Sequence, residues 1–206
     1  MKKIWNAEEK LQYERAYAQK GCRYIAGVDE VGRGPLAGPV VCAAVIMPLE
    51  EADLIVGVDD SKKLSQKKRE TLSALIKERA IAYTVYEVSE KIIDEINILE
   101  ATKLGMKRAL EMLPIKPDIV LTDGNMTLDI PFPQTSIIHG DALSYSIGAA
   151  SIVAKVHRDQ MMDEYAKQYP AYAFESNKGY GTAAHIKAIK EQGLCPIHRR
   201  TFTKNF

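Results

Sequence analysis

The chain has too few cysteines, spaced too widely, for a disulfide framework or a thiolate metal site. Cys22, Cys42 and Cys195 form no CxxC pair, which fits free thiols in a reducing compartment. No uninterrupted apolar run reaches the roughly 20 residues that a membrane span needs. The opening MKKIWNAEEKLQYE turns polar and acidic where a secretory signal would need an apolar segment, so a cytoplasmic location is expected. The formal net charge is only +1, from 28 Lys+Arg against 27 Asp+Glu. That balance excludes a generally basic coat, and any nucleic-acid partner must be held by a local basic patch. Internal repeats, low-complexity segments and a linker long enough to separate two large domains are also lacking.

What is there is an ordinary chain of 206 residues, 46% hydrophobic, able to bury a core as one domain with a small appendage. Asn6 followed by Glu9 fits a capping box opening a short helix to Gln19, closed by Gly21. The stretch Tyr24 to Pro39, YIAGVDEVGRGPLAGP, starts as a branched and aromatic strand and runs into two adjacent carboxylates, Asp29 and Glu30. Gly32, Arg33 and Gly34 follow them in a loop that presents main-chain N–H groups. Val40 to Met47 reads as a covered inner strand between two prolines. A polar loop then brings Lys62 and Lys63 ahead of a helix, Gln66 to Arg79, capped by Ser65.

Further on, Ala82 to Val88 alternates as a strand. Ser89 caps one turn of helix and Asn97 a longer helix from Ile98 to Leu113. Ile119 to Thr122 is a short apolar strand that delivers Asp123, and Thr135 to His139 another that releases Gly140 and Asp141 before a long helix, about Leu143 to Gln168. Small residues at the start of that helix predict a close approach to the sheet. On one of its faces lie Ser151, Lys155 and Asp159; the spacing suits an ordinary Lys155–Asp159 ion pair as well as it suits a site role. A glycine-rich loop, Glu175 to Thr182, holds Tyr180 ahead of a last helix from Ala183 to Gln192. The whole predicts an α/β fold, a mixed sheet with helices packed on it.

Four acids at strand ends or before helices, with no histidine or cysteine at ligand spacing, describe a hard-oxygen site for Mg²⁺ or Mn²⁺. Two such ions can activate a water and stabilise a leaving oxygen in phosphodiester hydrolysis. Adjacent strand residues face opposite ways, so Asp29 and Glu30 share a site only if their strand bends or ends there.

These residues resemble a known family. Gly27 to Val40, Asp60-Ser61-Lys62-Lys63-Leu64, Thr122-Asp123-Gly124, Gly140-Asp141, AASIVAKVHRD from Ala149 to Asp159, Asn177 to Thr182 and His198-Arg199-Arg200-Thr201-Phe202 together resemble the signature of bacterial ribonuclease HII. The resemblance implies an RNase H-like fold with a small helical C-terminal appendage, a catalytic domain over 21–206, and an N-terminal helical extension over 1–20 that lies outside it. It implies Asp29, Glu30, Asp123 and Asp141 as catalytic and metal-binding acids of a two-metal Mg²⁺ or Mn²⁺ site, with Asp159 a nearby accessory acid. Gly32, Arg33, Gly34, Tyr180, Lys62, Lys63, Lys155 and Lys178 are the substrate-binding candidates, and Arg199 and Arg200 join the lysines as possible phosphate contacts. The implied substrates are RNA/DNA hybrids and duplex DNA carrying single ribonucleotides, cut to leave a 5′-phosphate and a 3′-hydroxyl; a monomer with no membrane partner is expected. A binding module without chemistry would leave four acids repelling a phosphate backbone. The related ribonuclease HIII lacks the GRG run.

Overall fold

The computed structural model describes residues 5–205. Five strands form one mixed sheet: β1 (Ile25–Val31), β2 (Val40–Ile46), β3 (Ala82–Val88), β4 (Ile119–Asp123) and β5 (Gln134–Ile137), in the order β3-β2-β1-β4-β5. The first three make an antiparallel meander. β4 and β5 then add in parallel beyond β1.

Eight helices accompany the sheet among the described residues: α1 (Ala7–Lys10), α2 (Gln12–Ala18), α3 (Gln66–Arg79), α4 (Glu90–Glu111), α5 (Gly140–Leu143), α6 (Tyr145–Gln168), α7 (Phe174–Asn177) and α8 (Ala183–Gln192). Among the described residues no helix is long and apolar enough to cross a membrane. Cys22, Cys42 and Cys195 are free thiols.

Every residue of β2 is buried, because the sheet is covered on both faces. Val41, Ala43 and Val45 pack with α6 residues such as Ala149, Ile152 and Val153. Cys42, Ala44 and Ile46 pack with Met106, Ala109 and Leu110 of α4. Each fully buried valine or isoleucine contributes about 1.5–3 kcal/mol. The close approach anticipated from the small residues of α6 occurs at β1: a Cβ on Gly27 would stand 2.1 Å from the Ser146 carbonyl carbon. Only glycine lets this strand and this helix touch.

Several expected boundaries shift for local reasons. The opening helix is two helices broken at Leu11, whose side chain turns into the core. The Asn6 side chain accepts from the N–H of Glu8, not from that of Glu9. The two caps anticipated around α4 are both present, and α4 is two helical segments that meet at a kink: Ser89 accepts from the Ile92 N–H, and Asn97, at φ 68°, breaks the helix and accepts from the N–H groups of Leu99 and Glu100. The long helix starts at Tyr145 with Ser144 as its cap, and Asp141 lies within the separate turn α5. At the C-terminal end of α6, Met162 and Ala166 join Phe174, Ile189, Ile197 and Ala37 in a small C-terminal core.

Candidate active site

Four acids gather where β1 and β4 separate. The parallel ladder between these strands runs from Ile25–Ile119 to Val28–Thr122 and stops. β1 continues beside β2 through the pairs Asp29–Ala43 and Glu30–Cys42, and Asp123 ends β4 in the opening. The expectation that β1 must bend or end at its acid pair is therefore corrected. β1 passes through both carboxylates, and the loss of the β4 neighbour is what leaves space for them. Strand alternation puts Asp29 on the α6 face, where the Ser151 hydroxyl donates to it, and Glu30 on the face of Cys42. Asp141 closes the group from α5, its N–H donating to Asp123 Oδ1 at 3.3 Å.

The electrostatics show how tightly the acids are held. Burial, then repulsion from Glu30 and Asp123, pushes Asp29 well above the ordinary carboxylate range. Burial raises Glu30 against Arg33, whose guanidinium lies 3.6 Å away, and Asp123 adds to the rise. Asp141 is raised by burial, then by Asp123 and Asp60, with Lys62 at 3.8 Å opposing. Burial works against charged Lys62, yet Asp141, Asp60, Asp29 and Asp123 together hold its ammonium above its ordinary value. Three of the four acids thus repel Asp123, an excess negative charge that a hard cation relieves. Among the described residues no three His, Cys, Asp or Glu side chains form a closed ligand set; the four acids interact pairwise through Asp123. All offer oxygen only, which suits Mg²⁺ or Mn²⁺ and not zinc.

The glycine-arginine loop beside the acids is shaped by two buried guanidiniums. Arg199 donates to the carbonyls of Gly32 (2.6 Å), Arg33 (2.9 Å) and Gly38 (2.8 and 2.9 Å). Arg158 donates to those of Ala37, Pro39 and Lys178. Gly32 sits at φ 96°, and a Cβ there would fall 2.3 Å from Arg158 Nε, so both its conformation and its neighbour demand glycine. The C-terminal tail stitches onto the same loop: Gly38 N–H donates to Ile197 O and Arg199 N–H to Leu36 O. Tyr180 is 43% exposed, and its Cε1 lies 3.6 Å from where a Gly34 Cβ would stand. Glycine therefore leaves a gap between loop and ring.

The basic candidates divide. Lys62 is 82% exposed at the acids, and Lys63 is 58% exposed beside Asp59 and Asp60. Lys155 is bonded to Asp159 at 2.6 Å, and Arg69 faces the same carboxylate at 3.6 Å; Asp159 thus sits in an ion-pair network. Lys178 is bonded to Asp163. Arg200 is exposed, whereas Arg199 is wholly buried. Arg199, a candidate phosphate contact by sequence, is instead part of the scaffold, because every carbonyl it holds lies beneath the loop.

A family model for ribonuclease HII matches residues 26–205. The chain belongs to the ribonuclease HII family. It is similar to the ribonuclease HII of Endomicrobium trichonymphae, 56% identical over 94% of this chain and 91% of that one. Against that of Ruminiclostridium cellulolyticum it is 53% identical over 97% and 77%. The crystal structure of ribonuclease H2 from Pyrococcus horikoshii OT3 superimposes with a TM-score of 0.73 at 29% identity, covering 88% of this chain and 94% of that one. Bst-RNase HIII in complex with Mn²⁺ shares the fold, at TM-score 0.65 and 21% identity, over 82% of this chain and 63% of that one. Membership of the ribonuclease HII family makes the chain a hydrolase of phosphodiester bonds.

Sequence reasoning missed three side chains around this site, Arg158, Lys10 and Glu14, and gave a fourth, Arg199, the wrong role. Arg158 lies on a helix face and Arg199 in a basic tail, places where arginine is usually solvated. Lys10 and Glu14 lie in a helix that carries no motif. A buried position for all four is visible only once α6 and the tail are folded against the loop and the N-terminal helices.

Proposed function

We propose that the chain is a divalent-metal-dependent endoribonuclease that hydrolyses the RNA strand of RNA/DNA hybrids and incises 5′ of a single ribonucleotide in duplex DNA, leaving 5′-phosphate and 3′-hydroxyl ends. The observation that carries this reading is the placement of four mutually repelling acids directly beside a glycine-arginine loop with an exposed tyrosine. Asp29, Glu30, Asp123 and Asp141 would hold the ions. When bound, a pair of Mg²⁺ or Mn²⁺ ions supplies an activated water and charge stabilisation at the leaving oxygen. The Mn²⁺ complex of Bst-RNase HIII, a protein of the same fold, is consistent with that choice.

The chain's own residues supply positioning and selection. A ribonucleotide differs from its neighbours by one 2′-hydroxyl, a donor and an acceptor, and reading it requires fixed polar groups within hydrogen-bond reach. Arg158 and Arg199 fix the loop from beneath, so the main chain of Gly32, Arg33 and Gly34 is preorganised for that contact. Gly34 lets the loop backbone lie close beside the Tyr180 ring, whose exposed face offers a surface on which a sugar would pack. Lys62 and Lys63 are placed for the phosphate backbone. The active unit is a cytoplasmic monomer that binds hybrid and ribonucleotide-containing duplex.

The test is cleavage of two end-labelled substrates, a uniform RNA/DNA hybrid and a DNA duplex with one ribonucleotide, with Mg²⁺, with Mn²⁺ and with chelator. Cutting of both, abolished by chelation, is the expected result. Cleavage of the hybrid alone would support a ribonuclease HIII-like specificity, and binding without cleavage would reduce the site to a binding module.

A further inference from the structure

The N-terminal helices α1 and α2 lie outside the residues matched by the family model, yet they bury charge against the segment that carries Asp141. Lys10, on α1, is 9% exposed; its Nζ donates to the carbonyl of Ala142, next to Asp141, and pairs with Asp59 Oδ1 at 2.6 Å. Glu14, on α2, has no exposed surface; its Oε1 accepts from the Ser144 hydroxyl at 2.6 Å and the Ser146 N–H at 2.9 Å. Two neighbouring bonds extend the contact. Trp5 Nε1 donates to Val58 O at 2.9 Å, and the Tyr17 hydroxyl meets Thr135 Oγ1 at 2.5 Å on β5.

Burying a lysine and a glutamate is a poor way to attach two helices, since apolar side chains of like size hold as well or better. What these charges add is direction. Ala142 and Ser144 flank the turn from α5 into α6, and Asp59 opens the loop that delivers Lys62. Burial raises Glu14 above the ordinary carboxylate range, and its bonds to Ser144 and Ser146, which oppose that rise, tie it to the first turn of α6. The other oxygen of Glu14 has no hydrogen-bond partner, so its retention is not explained by local satisfaction of polar groups.

We propose that Lys10 and Glu14 are positioning residues for the metal site: they clamp the α5–α6 turn and the Asp59–Lys62 loop, and so set Asp141 and its Lys62 partner against Asp123. The inference rests on the metal-dependent reading above. Its prediction concerns affinity for the ion before any substrate binds, because an acid held in place loses less freedom on ligation. Supporting residues around metal ligands alter affinity by about 10- to 100-fold.

The experiment measures Mn²⁺ binding to the metal-free full chain by calorimetry or electron paramagnetic resonance, with Asp141→Asn as control. Lys10→Met and Glu14→Ala are expected to weaken binding about 10-fold. The same variants should raise the Mg²⁺ concentration for half-maximal cleavage by a similar factor. Glu14→Gln keeps the acceptor oxygen and retains most of the affinity. Unchanged Mn²⁺ binding in folded Lys10→Met and Glu14→Ala, with only a lower melting temperature, overturns the inference. So do equal losses in Glu14→Gln and Glu14→Ala. If Glu14→Ala does not fold, Lys10→Met decides by the same measurement. A wild-type chain that binds no Mn²⁺, or that binds it as well with Asp141→Asn, overturns the metal reading itself.

Discussion

His185 and His198 face each other through their Nε2 atoms at 3.0 Å, inside the small C-terminal core. Only one proton fits between them. His185 Nδ1 lies 2.9 Å from the carbonyl of Tyr180 and must donate to it, so its Nε2 is bare. The Cys195 N–H donates to His198 Nδ1 at 2.9 Å. With its Nδ1 accepting from Cys195, His198 donates from Nε2, and the chain of bonds Cys195–His198–His185–Tyr180 joins two neutral rings; the Cys195 carbonyl, 3.3 Å from the same Nδ1, is the acceptor that a protonated arrangement would use.

The pH dependence follows. Burial, then the neighbouring His185, lowers His198 to about 4 from 6.5, and burial lowers His185. At these two rings the unfolded chain binds more protons than the folded one between these values, so their contribution to stability is complete above about pH 6.5 and falls as pH drops toward 4, whereas the raised carboxyls of Asp29, Glu30 and Asp141 act in the opposite sense. Urea midpoints of the wild type and His198→Gln measured between pH 7 and pH 4 isolate the histidine part: the wild type should lose stability relative to the variant as pH falls. Midpoints that change in parallel over this range would refute the neutral pair.

The acids should trade stability for function. Asp29→Asn removes a buried carboxylate that Glu30 and Asp123 repel, so its melting temperature in chelator is expected to equal or exceed that of the wild type. Cleavage is expected to fall by about 10²-fold or more, as for loss of a preorganised charge-stabilising group. Normal cleavage by this variant would remove Asp29 from the site.

Arg199 and Lys62 should separate scaffold from contact. Arg199→Lys cannot reproduce a fork holding three carbonyls and should cost about 2 kcal/mol or more, as hydrogen bonds to a charged group contribute about 1.5–3 kcal/mol. Lys62→Ala should leave the stability within about 0.5 kcal/mol of wild type and lower the slope of hybrid affinity against salt by about one. A salt slope changed by Arg199→Lys and not by Lys62→Ala would reverse the two roles.

At the loop, Tyr180→Ala should damage single-ribonucleotide incision far more than Tyr180→Phe if ring packing on the sugar dominates. Equal losses in kcat/KM would assign the effect to the hydroxyl.

How much of the molecule is legible in its sequence varies by residue. Asp123 and Asp141 are readable because an acid that closes an apolar run is costly to bury unless a cation compensates it. Asn97 is readable because a capping side chain acts within three residues of itself. The sharing of one site by Asp29 and Glu30 is not. Alternation along β1 is a local rule, but the space for both depends on where β4 stops pairing, a fact about a distant segment. Arg158, Arg199, Lys10 and Glu14 are opaque for the same reason: their partners are carbonyls, hydroxyls and amides of remote backbone, and burial of a charge leaves no periodic trace.

The sheet order also bears on how the molecule comes into being. β1, β2 and β3 are neighbours in both sequence and space, and such local pairings form early. The β1–β4 pairing must wait for a segment far along the chain. Until β4 arrives, one side of β1 is an unpaired edge, with Asp29 and Glu30 standing at its far end as charged guards against pairing with another chain. The carboxylates proposed to hold the metal ions are thus also suited to protecting the nascent sheet. Pulse-labelled hydrogen exchange should find the amides of β2 and β3 protected before that of Leu121.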